Sequence, residues 1–368
     1  MKSSLAVLCL LAITLSVPSR GWGETYCDTV IGNDFQELVK PQPNAVFVPF
    51  LSKDMNILKT FKFTGPGPQP NMSRETPDQQ FFFNKESHGL FEMREKILGP
   101  RSRRSKMILV MPEFQQEVRA AIEEQFECFL TELPAKNPEL FKVVDGKLTN
   151  ISMGKSLSLS ELKKAETVED GVYKLSQFVN EDLIFLKKPE EATDFVVIGG
   201  VWAAPTRVSM GSSLGESIIS IHSEVSTDPE KVARFSAMIN NSLSWLFTNP
   251  KSIVRRNNFF LEEDPTYSMP NGFRWTYTGP EEINRGNYKA YTFVRIERQT
   301  LRGLPRSQVV VFSILPMVYS IGQVMTDSAI AQNVLKGLTL KFAGDEPDEV
   351  TKQLIQYMTE ELKIPVSK

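Results

Sequence analysis

Residues 295–310 read RIERQTLRGLPRSQVV, and this stretch sets four arginines and a carboxylate between segments that read as strands. Upstream, Tyr291, Phe293 and Val294 favour an extended chain, and downstream Val309–Phe312 is a β-branched and aromatic run suited to a buried strand. The charged block is therefore expected between two strands or at the end of one. Strand alternation sets Tyr291, Phe293, Arg295, Glu297 and Gln299 on one face, and Thr292, Val294, Ile296, Arg298 and Thr300 on the other. Glu297 and Arg298 then point to opposite sides, which argues against a simple neighbouring ion pair.

Working outward, Asp194–Ala204, Ser217–Val225, Gly272–Gly279, Ala290–Leu301 and Gln308–Tyr319 are rich in β-branched or aromatic residues and separated by turn-forming sequence, so each is expected to be a strand. Three amphipathic helices are expected. Glu113–Leu133 has Phe114, Val118, Ile122 and Phe126 at helical spacing. Thr227-Asp228-Pro229-Glu230 gives a capping-box start to a helix with Val232, Phe235, Ile239, Leu243 and Leu246 on one stripe. Pro347–Leu362 carries Val350, Leu354, Met358 and Leu362. The Gly- and Pro-dense TGPGPQPNMSRETPDQQ from Thr64 reads as a loop. GPRSRRSK, residues 99–106, reads as a basic loop; it resembles a proprotein-processing site, with a plain solvated loop as the simpler reading. The layout favours an α+β architecture, an antiparallel sheet with helices on one side.

The chain has 368 residues, 41% of them hydrophobic, which suffices for a substantial core. With 42 basic and 44 acidic side chains, the formal charge of −2 gives no global attraction to nucleic acid or anionic lipid. Lys2, the apolar run Leu5–Val17 and the small residues before Glu24 have the pattern of a cleaved secretory signal over residues 1–23. A secreted or secretory-lumen protein without a membrane span is expected. Cys9 leaves with that segment, so Cys27 and Cys128 remain, either as a disulfide or with Cys128 as a free thiol in a helix. Sequons stand at Asn71, Asn150 and Asn240; the first two lie in polar, loop-like sequence and are expected to carry glycan, whereas Asn240 falls in an expected helix.

Chemistry-bearing residues are few. His88 lies in the polar NKESHG and reads as a surface residue, while His222 lies in the expected strand Ser217–Val225. No second histidine or cysteine pair gives the spacing of an ordinary metal site, but a haem needs only one protein ligand on iron. Gly211-Ser212-Ser213-Leu214-Gly215 matches a nucleophile-elbow pattern. A hydrolase needs a strand before it, a helix after it, and an acid and then a histidine further on. That context is missing, so GSSLG reads as a turn and a serine hydrolase as a weak alternative.

Several stretches together resemble the haem-dependent oxidative N-demethylase-like family. The most specific is Ile296–Pro305, IERQTLRGLP. VNEDLIFL with Glu181-Asp182-Leu183, Ala204-Pro205-Thr206-Arg207, LGESIISIH ending at His222, and RNNFFLEED from Arg256 support it. The likeness runs from about Val46 to Phe342. It implies a PAS-like antiparallel sheet with flanking helices over residues 24–345, followed by a C-terminal helix in 346–368. It also implies haem b as cofactor, a small secondary amine and dioxygen as substrates, formaldehyde as a product and an electron-donor reductase as partner. On that resemblance His222 is the candidate axial iron ligand, Arg207 and Arg298 are candidate partners for the haem propionates, and Glu297 either binds a cationic amine or holds an arginine in place. A secreted haem-binding or ligand-sensing module without turnover is the alternative reading.

Overall fold

Phe293 and Ser320 close one end of a long hairpin, and Leu304 and Val309 close the other. The computed structural model describes residues 52–61, 72–204, 210–221, 229–262, 288–341 and 349–363. Their strands are β1 (Met72–Glu75), β2 (Ile108–Val110), β3 (Phe141–Val144), β4 (Lys147–Asn150), β5 (Lys155–Ser158), β6 (Asp182–Lys187), β7 (Val196–Val201), β8 (Ile253–Glu262), β9 (Phe293–Leu304) and β10 (Val309–Ser320). Seven form one antiparallel sheet in the order β1-β8-β9-β10-β6-β7-β2, and β3-β4-β5 is a small separate meander. The architecture is α+β, with all described residues in the unit Pro41–Lys368.

The charged block differs in part from expectation. Arg306 lies in the turn between β9 and β10, whereas Arg295, Glu297, Arg298 and Arg302 lie inside β9, flanked by β8 and β10. Burial on both faces is tolerated there because each face supplies polar partners. Helices also cover both faces, not one. The Pro229–Thr248 helix packs with Leu243 and Leu246 against Ile184, Val310 and Val254 on the first face. Gly303 on β9 is required by this approach, because a Cβ there would come within 2.8 Å of Leu246 backbone. The Gln115–Lys136 helix lies across the second face, where Gln125 meets Gln80 and Glu132 meets Arg302. Pro316 sits in a central strand without breaking it, because β6 pairs with β10 only as far as Ile314.

Several expected elements are revised. Within Ser217–Val225 the described residues form a short helix, Ile218–Ile221; the Ser217 hydroxyl accepts the N–H of Ser220, and this local cap wins over β-branched preference. GPRSRRSK is mostly helical, as Arg101–Met107, with the Arg104 guanidinium 4.0 Å above the Tyr173 ring. In the TGPGPQPNMSRETPDQQ stretch, Met72–Glu75 is an edge strand and Pro77–Gln79 a 3-10 turn. Gly272–Gly279 lies outside the described residues. The last helix runs Glu349–Glu361 and belongs to the core, with Leu354 and Met358 buried and the Tyr288 hydroxyl bonded to Gln353. No described helix is long and apolar enough to cross a membrane.

Candidate functional site

The period-two partition of β9 holds in space and separates two polar clusters. On the second face, Arg298 donates to the carbonyl of Gln80 (3.0 Å) and to that of Gln79, and Thr300 donates to the same Gln80 carbonyl. Arg302 grips Glu132 through both terminal nitrogens, at 2.6 and 2.8 Å, and also reaches Gln80 Oε1. Next to this cluster the buried carboxyl of Glu181 accepts the N–H groups of Phe82 (2.8 Å) and Asn180 (3.1 Å). Burial pushes its pKa up to about 7, against the pull of the Phe82 N–H and the Arg298 guanidinium. These contacts are internal and tie the Gln79–Phe82 turn to the sheet.

The first face carries a different set. Across the sheet, Arg256 of β8 stands opposite Gln299, Asn258 opposite Glu297, and Phe260 opposite Arg295. The Glu297 carboxylate accepts the Gln299 carboxamide N–H at 2.9 Å and lies 3.7 Å from Arg295 Nε. Arg295, 1% exposed, donates to the carbonyl of Ala204 at 2.7 Å. Ala204 is held in turn by Asp182, whose carboxylate accepts the N–H groups of Ala203 and Ala204 and the guanidinium of Arg94. Arg256 makes no hydrogen bond or ion pair among the described residues; burial works against its charge and Glu297 supports it. The Gln299 Oε1 atom is buried with no partner. On this face Arg256 and Arg295 flank Glu297, and the described residues of the same face also include two further buried carboxylates, Glu262 opposite Phe293 and Asp182 opposite Ile314.

The expected site residues fall out unevenly. Glu297 lies at the centre of the first-face cluster and does hold an arginine, though that arginine is Arg295. Arg298 lies on the face opposite Glu297, as the strand period sets it, and its guanidinium donates to the carbonyls of Gln79 and Gln80. Arg207 and His222 lie outside the described residues. Arg207 follows Ala204 by three residues, and His222 directly follows Ile221. In that short helix, Ile218 packs against the first-face core. Arg256 went unassigned in the sequence, although RNNFFLEED displays it; only the pairing of β8 with β9 sets it opposite Gln299.

His88 is a surface residue, on the Ser87–Leu98 helix and not in a loop, 3.3 Å from Glu92 one turn on. Cys128 is a free thiol, which departs from the bridge to Cys27; burial raises its pKa against the opposing Arg302 charge. Cys27 and Asn71 lie outside the described residues, as does the leader segment 1–23. Asn150 is a correction. Its side chain is fully buried, with the carboxamide N–H bonded to the Gln177 carbonyl and its oxygen accepting from Ser152 and Met153, so no glycan fits. Asn240 is likewise engaged, by Asp194. Ser213 is 1% exposed at the end of the short helix Met210–Ser213, which removes the exposed nucleophile that a hydrolase elbow requires. Among the described residues no cluster of three metal-ligating side chains occurs.

The structure is an antiparallel α+β sheet with buried, charge-rich clusters on both faces. Residues 75–341 match the family described as haem-dependent oxidative N-demethylase, alpha subunit-like, and the chain belongs to that family. No curated protein matches the chain.

Haem dependence carried by the family name can be tested against the cluster. A haem brings two carboxylates and one iron. Two guanidiniums on one side of the sheet suit the propionates: Arg256 is half-buried and makes no hydrogen bond or ion pair among the described residues, and Arg295 adds a second positive charge. The described residues thus fit the anionic edge of the group.

Proposed function

We propose that this chain binds haem b against the first face of its sheet and oxidises N-methyl secondary amines with dioxygen, releasing the demethylated amine and formaldehyde. An electron donor of the reductase class would supply the two electrons that the reaction consumes. When bound, the haem supplies the dioxygen chemistry that no side chain provides. The protein's own residues bind and orient. Arg256 and Arg207 would hold the propionates, His222 would hold the iron, and Glu297 would receive the ammonium of the substrate. Gln299 and Arg295 fix the Glu297 carboxylate from two sides, so it does not reorient when the amine arrives. The segment Leu5–Val17 makes the protein an exported one, with residues 1–23 removed.

The observation that supports this reading is the presence on one face of a guanidinium, Arg256, that makes no hydrogen bond among the described residues, beside a carboxylate, Glu297, that accepts from Gln299. Glu297→Gln should retain the haem spectrum and lower kcat/KM for dimethylamine about ten- to hundred-fold, the effect of one charge-assisted contact. Loss of haem together with activity would place Glu297 in the fold alone. Haem-loaded wild-type protein that binds dimethylamine without turning it over would favour the non-catalytic binding module.

A further inference from the structure

Gln299 occupies an unusual position for a buried carboxamide. Its Nε2 donates to Glu297 Oε2 at 2.9 Å, and since a carboxylate only accepts, this bond fixes which end of the amide is nitrogen. The oxygen therefore faces the other way, and it is buried with no hydrogen-bond partner among the described residues. An unmatched buried acceptor is costly to keep, and a ligand N–H removes that cost. Among the described residues nothing on its own face supplies the donor: Glu297 is an acceptor, Ile314 of β10 is apolar, and Arg256 of β8 makes no hydrogen bond.

We propose that Gln299 is a specificity-determining residue that, with Glu297, selects amines by the number of N–H groups on the ammonium. This rests on the reading above that Glu297 receives the substrate cation. The two residues are two apart on β9 and so share a face, and together they present a carboxylate and an unsatisfied carbonyl oxygen to one ligand. A dialkylammonium has two N–H donors and satisfies both acceptors. A trialkylammonium has one; when Glu297 takes it, Gln299 Oε1 is left buried and unbonded against a methyl group. Discrimination arises from that orphaned acceptor, the situation in which polar sites reject analogues that lack a donor.

The test measures binding and turnover of dimethylammonium, trimethylammonium and tetramethylammonium by haem-loaded wild-type protein and by Gln299→Met, whose side chain is close in volume. Calorimetry gives binding independently of turnover, and thermal unfolding checks that the variant is folded. Wild type is expected to bind dimethylammonium about ten-fold or more tightly than trimethylammonium, the low end for one hydrogen bond to a charged donor. In Gln299→Met that preference should collapse to within about two-fold, mainly through weaker dimethylammonium binding. Equal affinities in wild type, a preference that survives in Gln299→Met, or no binding of any of the three overturns the proposal. Selective binding without turnover leaves it standing and removes the oxidase reading; turnover without selectivity does the reverse. If Gln299→Met does not fold, the wild-type ranking alone decides.

Discussion

Replacing Arg94 with methionine perturbs the chain of contacts that joins the core to the first-face cluster. Arg94 Nη1 lies 2.7 Å from Asp182 Oδ1, with the two side chains 3% and 1% exposed. Removing one partner of a pair this deep costs about 3–5 kcal/mol, because the other charge is left behind. Two features reduce the figure here. Asp182 keeps the N–H groups of Ala203 and Ala204 at 2.8 and 2.9 Å, and the substitution also deletes the buried, unbonded Nε and Nη2 of Arg94. A cost of about 3 kcal/mol is expected, which is roughly a 4 °C fall in unfolding midpoint for a chain of this size. Asp182→Asn should cost a similar amount by stranding the guanidinium. The double variant should recover at least about 2 kcal/mol relative to the sum of the two. Chemical denaturation of the four proteins measures the cycle. Single variants that cost less than about 1 kcal/mol, or a strictly additive double variant, would refute the assignment of this pair as a mutually dependent buried contact.

Other outcomes follow from the separation of the two faces. Arg256→Met should weaken haem retention about ten-fold or more through loss of a charge-assisted contact, while Arg298→Met should leave the spectrum intact and lower stability by about 2–4 kcal/mol; visible absorption and denaturation distinguish them. Glu181 has its folded pKa raised to about 7 from 4.5, so the stability it contributes is full below about pH 4.5 and is lost as pH rises through about 7. Denaturation between pH 4.5 and 7.5 should show a fall that Glu181→Gln flattens, and an unchanged profile in the variant would reject the assignment. Asn150→Ala should produce no loss of glycan mass in protein from a secreting host yet cost about 1–3 kcal/mol, since it strips partners from a buried turn.

The two strands β9 and β10 were legible in the sequence because their β-branched and aromatic content and the turn-forming sequence between them agreed, whereas their pairing as a hairpin was not read. The face partition of Arg295, Glu297 and Gln299 against Arg298 and Thr300 followed from the strand period alone. What escaped was set by partners distant in sequence. Arg298 and Arg295 have the same chemistry and lie three residues apart, and only the Gln79–Phe82 turn on one face and Ala204 on the other decide what each guanidinium holds. The β3–β4 hairpin did carry a local signal, Asp145-Gly146 with φ of 50° and 72°, in the Asp-Gly pattern that tight hairpins favour. Asn150 misled because a sequon and a buried Asx turn look alike: the Ser152 that completes the first also bonds the side chain in the second.

The central claim is that the first face of the sheet holds haem, and titration of purified protein with haem, followed by visible absorption, tests it most directly. The expected result is an intense Soret band that saturates at one haem per chain. The band should be lost or greatly weakened in His222→Ala, weakened in Arg256→Met, and unchanged in His88→Ala and Arg298→Met. Protein that stays colourless after reconstitution, or a band that survives His222→Ala and Arg256→Met while Arg298→Met removes it, would contradict the account.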